Sequence, residues 1–229
     1  MGESIHLLSV NVGVREVIDV WPDKLIESGI RKRPVNDSSI LLGELGLAGD
    51  HQADTRRIRG VQVHGGPGKA VYAYPSEHFD EWSEALGDEI GPGAFGENLT
   101  IRGITEAEAC IGDVWRWGDA LLQITEPRGP CYKLDIHRGD ERTGKLMNAS
   151  GHTGWYLRVL QPGRVQTSGT IEISDRNVDG VSVLDVHRIF RGGDETALAR
   201  LLEVEPLGRD LKQMIQNRLQ ARARAQAKR

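Results

Sequence analysis

Apolar and polar positions alternate in short runs over most of the chain, then change to helical spacing near the end. Runs at residues 5–14 and 16–20 read as strands, with Gly13 as the break between them. Residues 26–37, polar and basic around Arg31-Lys32-Arg33-Pro34, read as a loop. Residues 39–45 form another apolar run, and Leu47-Ala48-Gly49-Asp50 reads as a turn. Residues 51–68 hold few apolar side chains and read as a long loop, a length that in a compact domain tends to serve function. A short apolar stretch at 70–74 leads to Pro75, which can start a helix carrying Phe79, Trp82 and Leu86 on one face. A glycine-rich loop (residues 91–96) precedes a strand at 99–104. Residues 110–117 and 120–125 then pair as a hairpin across Gly118-Asp119.

Residues 135–150 read as helical in parts, and 154–160 and 169–174 as closing strands separated by Pro162-Gly163. Past residues 175–180 the period changes. Ser182 can cap a helix through Phe190, Asp194-Glu195 opens a second through Val204, and a third runs from Leu207 onward. Leu198, Leu201 and Leu202 sit at helical spacing, as do Leu207, Leu211, Ile215 and Leu219. The expected fold is mainly β with α (α+β), a β-rich body at 1–178 followed by three helices at 179–229.

Composition adds exclusions. With 229 residues, 38% hydrophobic and 27% charged, the chain reads as an ordinary globular protein. A net charge of −4 gives no general attraction to nucleic acid or an anionic membrane. Seven Lys/Arg follow from Arg209 onward, but no aromatic residue follows Phe190, so the basic tail reads as a solvated helix face and no nucleic-acid partner is expected. Two cysteines make no disulfide framework and suggest a reducing, cytoplasmic setting. The first ten residues lack signal-peptide character, and no apolar run reaches the ~20 residues of a membrane span.

Three stretches carry candidate chemistry. In Thr125-Glu126-Pro127-Arg128-Gly129-Pro130-Cys131-Tyr132-Lys133-Leu134, a thiol stands on a loop stiffened by two prolines at a strand end. Arg128, Lys133 and a following helix N-terminus favour its thiolate, whereas the bland alternative is a small buried hydrophobe. In His64-Gly65-Gly66-Pro67-Gly68-Lys69, glycine N–H groups can cradle an anion beside the Lys69 charge, and His64 can relay a proton; the alternative is a tight turn. The Gly-Lys-Ser/Thr ending of a P-loop is absent. In Gly96-Glu97-Asn98-Leu99, Asn98 can read an amide-like edge and Glu97 can accept N–H groups or act as a base, though a mid-loop Asn is commonly a turn former. His51, His64, His78, His137 and His152 are scattered, with no Cys-x-x-Cys and no His pair on one helix face, so no zinc site is expected. A nucleophilic Cys131–His64 pair stays open on residue types alone.

Together these stretches resemble the MOSC family, the domain found at the C-terminus of molybdenum-cofactor sulfurases, in its YiiM-like branch. The resembling segments are Leu45-Gly-Leu-Ala-Gly-Asp-His-Gln-Ala-Asp54, Val63-His-Gly-Gly-Pro67, Lys69-Ala-Val-Tyr-Ala-Tyr-Pro75, Gly93-Ala-Phe-Gly-Glu-Asn-Leu-Thr100, Ile111-Gly-Asp-Val-Trp-Arg-Trp117 and Gln123-Ile-Thr-Glu-Pro-Arg-Gly-Pro-Cys-Tyr-Lys-Leu134. The tail resembles the small α domain of that branch. Gly68 departs from the Asp common at that position, and residues 56–61 are extra.

The resemblance implies a β-barrel-like body and a cleft for the molybdenum cofactor, with Cys131 ligating molybdenum or carrying sulfur. It further implies that His64, Gly65, Gly66, Lys69 and Arg128 hold the anionic cofactor tail or the substrate, with Glu97 and Asn98 in the supporting loop. The activity implied is reduction of N-hydroxylated compounds such as 6-N-hydroxylaminopurine, fed by a separate flavin or iron–sulfur electron-transfer protein. A sulfur carrier using a Cys131 persulfide is the alternative. The tail helices are expected to pack on the body or on a second copy, as a homodimer.

Overall fold

The computed structural model describes residues 4–51, 57–58, 61–62 and 64–227. Side chains along Ser4–Val12 (β1) alternate between exposed and buried until Ser9, because one face of this strand looks into the core. Six further strands share that core: Val71–Pro75 (β2), Leu99–Arg102 (β3), Val114–Trp117 (β4), Ala120–Pro127 (β5), Trp155–Gln161 (β6) and Gly169–Asp175 (β7). They pair in the order β3-β2-β6-β5-β4-β7-β1, and β1 closes the ring on β3. Leu7 thus lies opposite Gly169 on one side and Ile101 on the other. A closed ring with an odd number of strands cannot alternate direction throughout. Here β2 and β3 are the parallel pair.

Ile5, Leu7, Ile101, Trp115, Trp117, Leu122, Ile124, Trp155 and Ile171 fill one apolar cluster. Trp115 and Trp155 meet edge to face at 6.0 Å within it. The β4–β5 turn needs Gly118, which has φ +57° in a two-residue connection. β2 is buried on both faces: Val71 and Ala73 join the barrel cluster, whereas Tyr72 and Tyr74 join a second cluster with Trp82, Phe95, Leu134 and Met147. That second cluster seats the helices Phe79–Leu86 (α1), Tyr132–Arg138 (α2) and Thr143–Ser150 (α3) against the barrel.

The tail forms the three expected helices, Val183–Gly192 (α4), Glu195–Glu203 (α5) and Arg209–Gln226 (α6). Ser182 and Asp194 cap the first two, accepting from Asp185 N at 3.0 Å and Ala197 N at 2.7 Å. Val186, Leu198, Leu201, Leu211 and Ile215 belong to the same apolar cluster as the barrel interior, so the tail packs on its own body.

Three expectations need correction. The stretch 26–37 is not all loop: Lys24–Ser28 pairs with Glu16–Trp21 as a hairpin. Val17, Val20, Trp21 and Leu25 of this hairpin are exposed and only Ile18 and Ile26 are buried among its apolar positions, which is why no pattern announced it. Gly163–Gln166, read as part of a connection, pairs with Ser39–Gly43. Residues 51–68, read as one loop, lie partly outside the described residues. Within them Arg57–Ile58 pairs with Val61–Gln62, and Pro67–Lys69 forms a 3-10 turn.

Candidate active site

The proline-flanked stretch leaves the barrel at the end of β5, and Cys131 becomes the N-cap of α2 with extended backbone. Leu134 N donates back to the Cys131 carbonyl at 2.8 Å, closing the first turn. Cys131 therefore stands at the positive end of a short helix. Burial pushes its thiol up. A hydrogen bond with His64, the Arg128 guanidinium, the charge of His64 and a hydrogen bond with the Lys133 backbone outweigh burial and bring it down to about 7. The other cysteine, Cys110, shows the opposite balance: partial burial and Asp113 hold its thiol above the ordinary value.

Cys131 opens on a cleft with a cavity volume of about 80 Å³. His64, Gly65, Lys69, Asn98 and Arg128 line it with Cys131. The two loop glycines take positive φ (64° at Gly65, 88° at Gly66), and Gly66 is buried behind the lining. Arg128 is 5% exposed, donates to Met147 Sδ at 3.2 Å and lies 5.5 Å over the Tyr72 ring. Lys69 Nζ meets Glu126 at 2.9 Å and Asp210, at the start of α6, at 3.4 Å. Burial pulls this ammonium down, but the two carboxylates outweigh it and hold it above its ordinary value.

Asn98 is fully used by the fold. Its Oδ1 accepts Tyr72 N at 3.1 Å, and its Nδ2 donates to Asn11 O at 3.2 Å and Asp50 Oδ2 at 2.9 Å. Glu97 is fully buried outside the cleft lining, and accepts Gly93 N at 2.6 Å, Phe95 N at 3.0 Å and Thr100 Oγ1 at 2.9 Å. It organises the glycine-rich loop from behind.

Known proteins can now be set beside this geometry. A model of the MOSC domain matches residues 60–172. YflK of Bacillus subtilis is 40% identical over 202 residues, covering 87% of this chain and 88% of YflK. YiiM of Escherichia coli is 35% identical over 219 residues, 90% of this chain and 93% of YiiM. The chain belongs to the MOSC family. Its branch is that of YiiM, since the crystal structure of YiiM from Geobacillus stearothermophilus matches with a TM-score of 0.77 at 30% identity, over 94% of this chain and 99% of that one. A Gibberella moniliformis protein named Reductase is 34% identical over 170 residues, 72% of this chain but 29% of that protein.

The MOSC cleft also holds residues that the sequence alone did not single out as site residues: Lys32, Asp50, Tyr72 and Tyr156. Lys32 and Asp50 form a buried ion pair, with Lys32 held below its ordinary value by burial against the pull of Asp50. Tyr156 sits opposite Tyr72 where β6 pairs with β2, so two strands deliver both rings to one wall. Lys133, noticed only as a neighbour of the thiol, donates to Glu27 O at 2.9 Å and so ties α2 to the hairpin at Lys24–Ser28. In sequence Lys32 was one basic residue among three, and the tyrosines were ordinary strand aromatics. Only the pairing of distant segments distinguishes them.

The lining suits a molybdenum cofactor. Its one thiolate is a soft ligand for a sulfur-bound metal. Lys32 is paired with Asp50, and Lys69 with Glu126 and Asp210, whereas the lining cations Arg128 and Lys133 have no carboxylate partner among the described residues, as an anionic tail requires.

Proposed function

We propose that this MOSC protein binds the molybdenum cofactor and reduces N-hydroxylated compounds, base analogues such as 6-N-hydroxylaminopurine among them. The observation that carries the reading is Cys131: a thiol brought to about 7 at the mouth of a cation-rich cleft. The reductase named among its relatives supports the reaction class. The overall change takes R–NHOH, two electrons and two protons to R–NH₂ and water, with the electrons coming from a separate flavin or iron–sulfur protein. Bound in the cleft, the cofactor would supply the two-electron redox centre.

On this reading each residue has a role that its surroundings support. Cys131 Sγ is the metal ligand. Arg128 and Lys133 offset the negative charge of the cofactor tail, and the Gly65 loop lets backbone approach it closely. Lys69 acts through its ion pair with Glu126 and Asp210, fixing the cleft floor to α6. His64, which lines the cleft with Cys131 and helps lower its thiol, would deliver a proton to the leaving oxygen. The phenols of Tyr72 and Tyr156 are held above their ordinary values by burial and stay neutral donors.

The test uses protein made in a host that synthesises the cofactor, a chemical electron donor and 6-N-hydroxylaminopurine, with adenine measured chromatographically. Turnover in the wild type that disappears in Cys131→Ala is the expected result. Loaded protein that makes no adenine, but releases sulfide from Cys131 on thiol reduction, would replace the reductase with the sulfur carrier.

A further inference from the structure

We propose that His78, Glu81 and His152 form a second metal site, for a zinc-class divalent cation, outside the cofactor cleft. None of the three lines that cleft. His78 ends the 3-10 turn Ser76–His78, and Glu81 follows three residues later in α1. His152 belongs to the connection between α3 and β6. Separate in sequence, the three bring one ligand atom each to within 4.8 Å of one another.

The spacing is close to what an ion demands. Ligands ~2.0–2.2 Å from a tetrahedral zinc stand roughly 3.3–3.5 Å apart. His152 Nδ1 and Glu81 Oε2 are already 3.2 Å apart. The remaining closure is about an ångström on the same geometry. Glu81 has room to supply it, since its side chain is 62% exposed. The two imidazoles stack at 3.8 Å with planes 4° apart, so binding must tilt one ring to aim its lone pair at the ion. His152, 28% exposed, is the ring with space to turn.

Two further features point to a ligand. His152 Nδ1 is buried, and beside it at 3.2 Å stands the carboxylate of Glu81, whose exposed side chain can swing to share an ion with it. Behind His78 stands Glu106, 2% exposed, whose Oε2 lies 2.7 Å from His78 Nε2 while Oε1 accepts Gly154 N at 2.6 Å. A carboxylate fixed behind one ring nitrogen sets the tautomer and leaves Nδ1 as the basic nitrogen, the arrangement usual for metal-bound histidine. Two imidazoles and one carboxylate suit zinc or a neighbouring first-row cation over magnesium or calcium. The ion would pin α1 to the segment entering β6, and water from the Glu81 side would complete its shell.

The experiment titrates Zn²⁺ into untagged, full-length Cys131→Ala protein, so that the cleft thiolate contributes nothing, and repeats it after adding Glu81→Gln or His152→Ala. Calorimetry gives stoichiometry and affinity, and Co²⁺ absorption reports the ligand field. One equivalent of zinc is expected, with Tm raised by zinc and not by magnesium, and each added substitution weakening affinity by tenfold or more. Glu81→Gln lies on an exposed helix face and leaves folding intact, so it keeps the test decisive if His152→Ala misfolds. No zinc bound in the Cys131→Ala background, or affinity unchanged by Glu81→Gln, overturns the proposal.

Discussion

Replacing His64 by alanine tests the electrostatics of the thiol most sharply. In the intact cleft, burial opposes the thiolate while His64, Arg128 and the Lys133 backbone favour it, and the thiol titrates at about 7. Half of it is thiolate at pH 7. Without His64 a hydrogen bond and a charge are lost while most of the burial remains, so the midpoint should rise to the ordinary ~8.5 or above. At that midpoint ~3% is thiolate at pH 7, a loss of roughly 15-fold. The assay is the pH dependence of iodoacetamide alkylation of metal-free protein carrying Cys110→Ser, read by mass spectrometry. His64→Gln, which restores a hydrogen bond without the charge, should fall between wild type and alanine. A midpoint that stays near 7 in His64→Ala would refute the assignment and leave Arg128 and the helix terminus as sufficient.

Other outcomes follow from the same contacts. Because the folded state depresses the Cys131 titration, its contribution to stability is complete above ~8.5 and is lost as pH falls through about 7. Chemical denaturation at pH 6 and pH 9 should show that difference, about 2 kcal/mol, disappear in Cys131→Ala. Asn98→Ala strands Tyr72 N and Asn11 O, and should cost about 3 kcal/mol, lowering Tm in calorimetry by ~6–12 °C. A Cβ at Gly208 would lie 2.2 Å from Glu126 Oε2, so Gly208→Ala should lower Tm, whereas Gly192→Ala, with nothing within 4 Å, should not.

Legibility followed burial. The helices of the tail were readable because caps and apolar spacing agree at Ser182 and Asp194, and the β4–β5 hairpin because Trp115, Trp117, Leu122 and Ile124 share one buried face. The hairpin at Lys24–Ser28 was not, since a two-stranded ribbon with one buried apolar residue on each strand leaves little period to read. Among site residues, Cys131 declared itself through prolines and flanking cations. Lys32 and Asp50 did not, because their role depends on pairing across segments. The same reason hid His78 and His152: seventy-four positions separate two rings that stack at 3.8 Å. Glu97 was visible as a carboxylate in a glycine-rich loop, but only packing shows it committed to Gly93, Phe95 and Thr100.

The central claim is that Cys131 holds molybdenum in this cleft, and its most direct test is the metal content of the purified protein. Wild type and Cys131→Ala, expressed in a host that makes the cofactor, are compared for molybdenum per chain by mass spectrometry. Near-stoichiometric metal in the wild type and its loss in the variant is the predicted result. Equal molybdenum in both proteins, or none in the wild type, would contradict it.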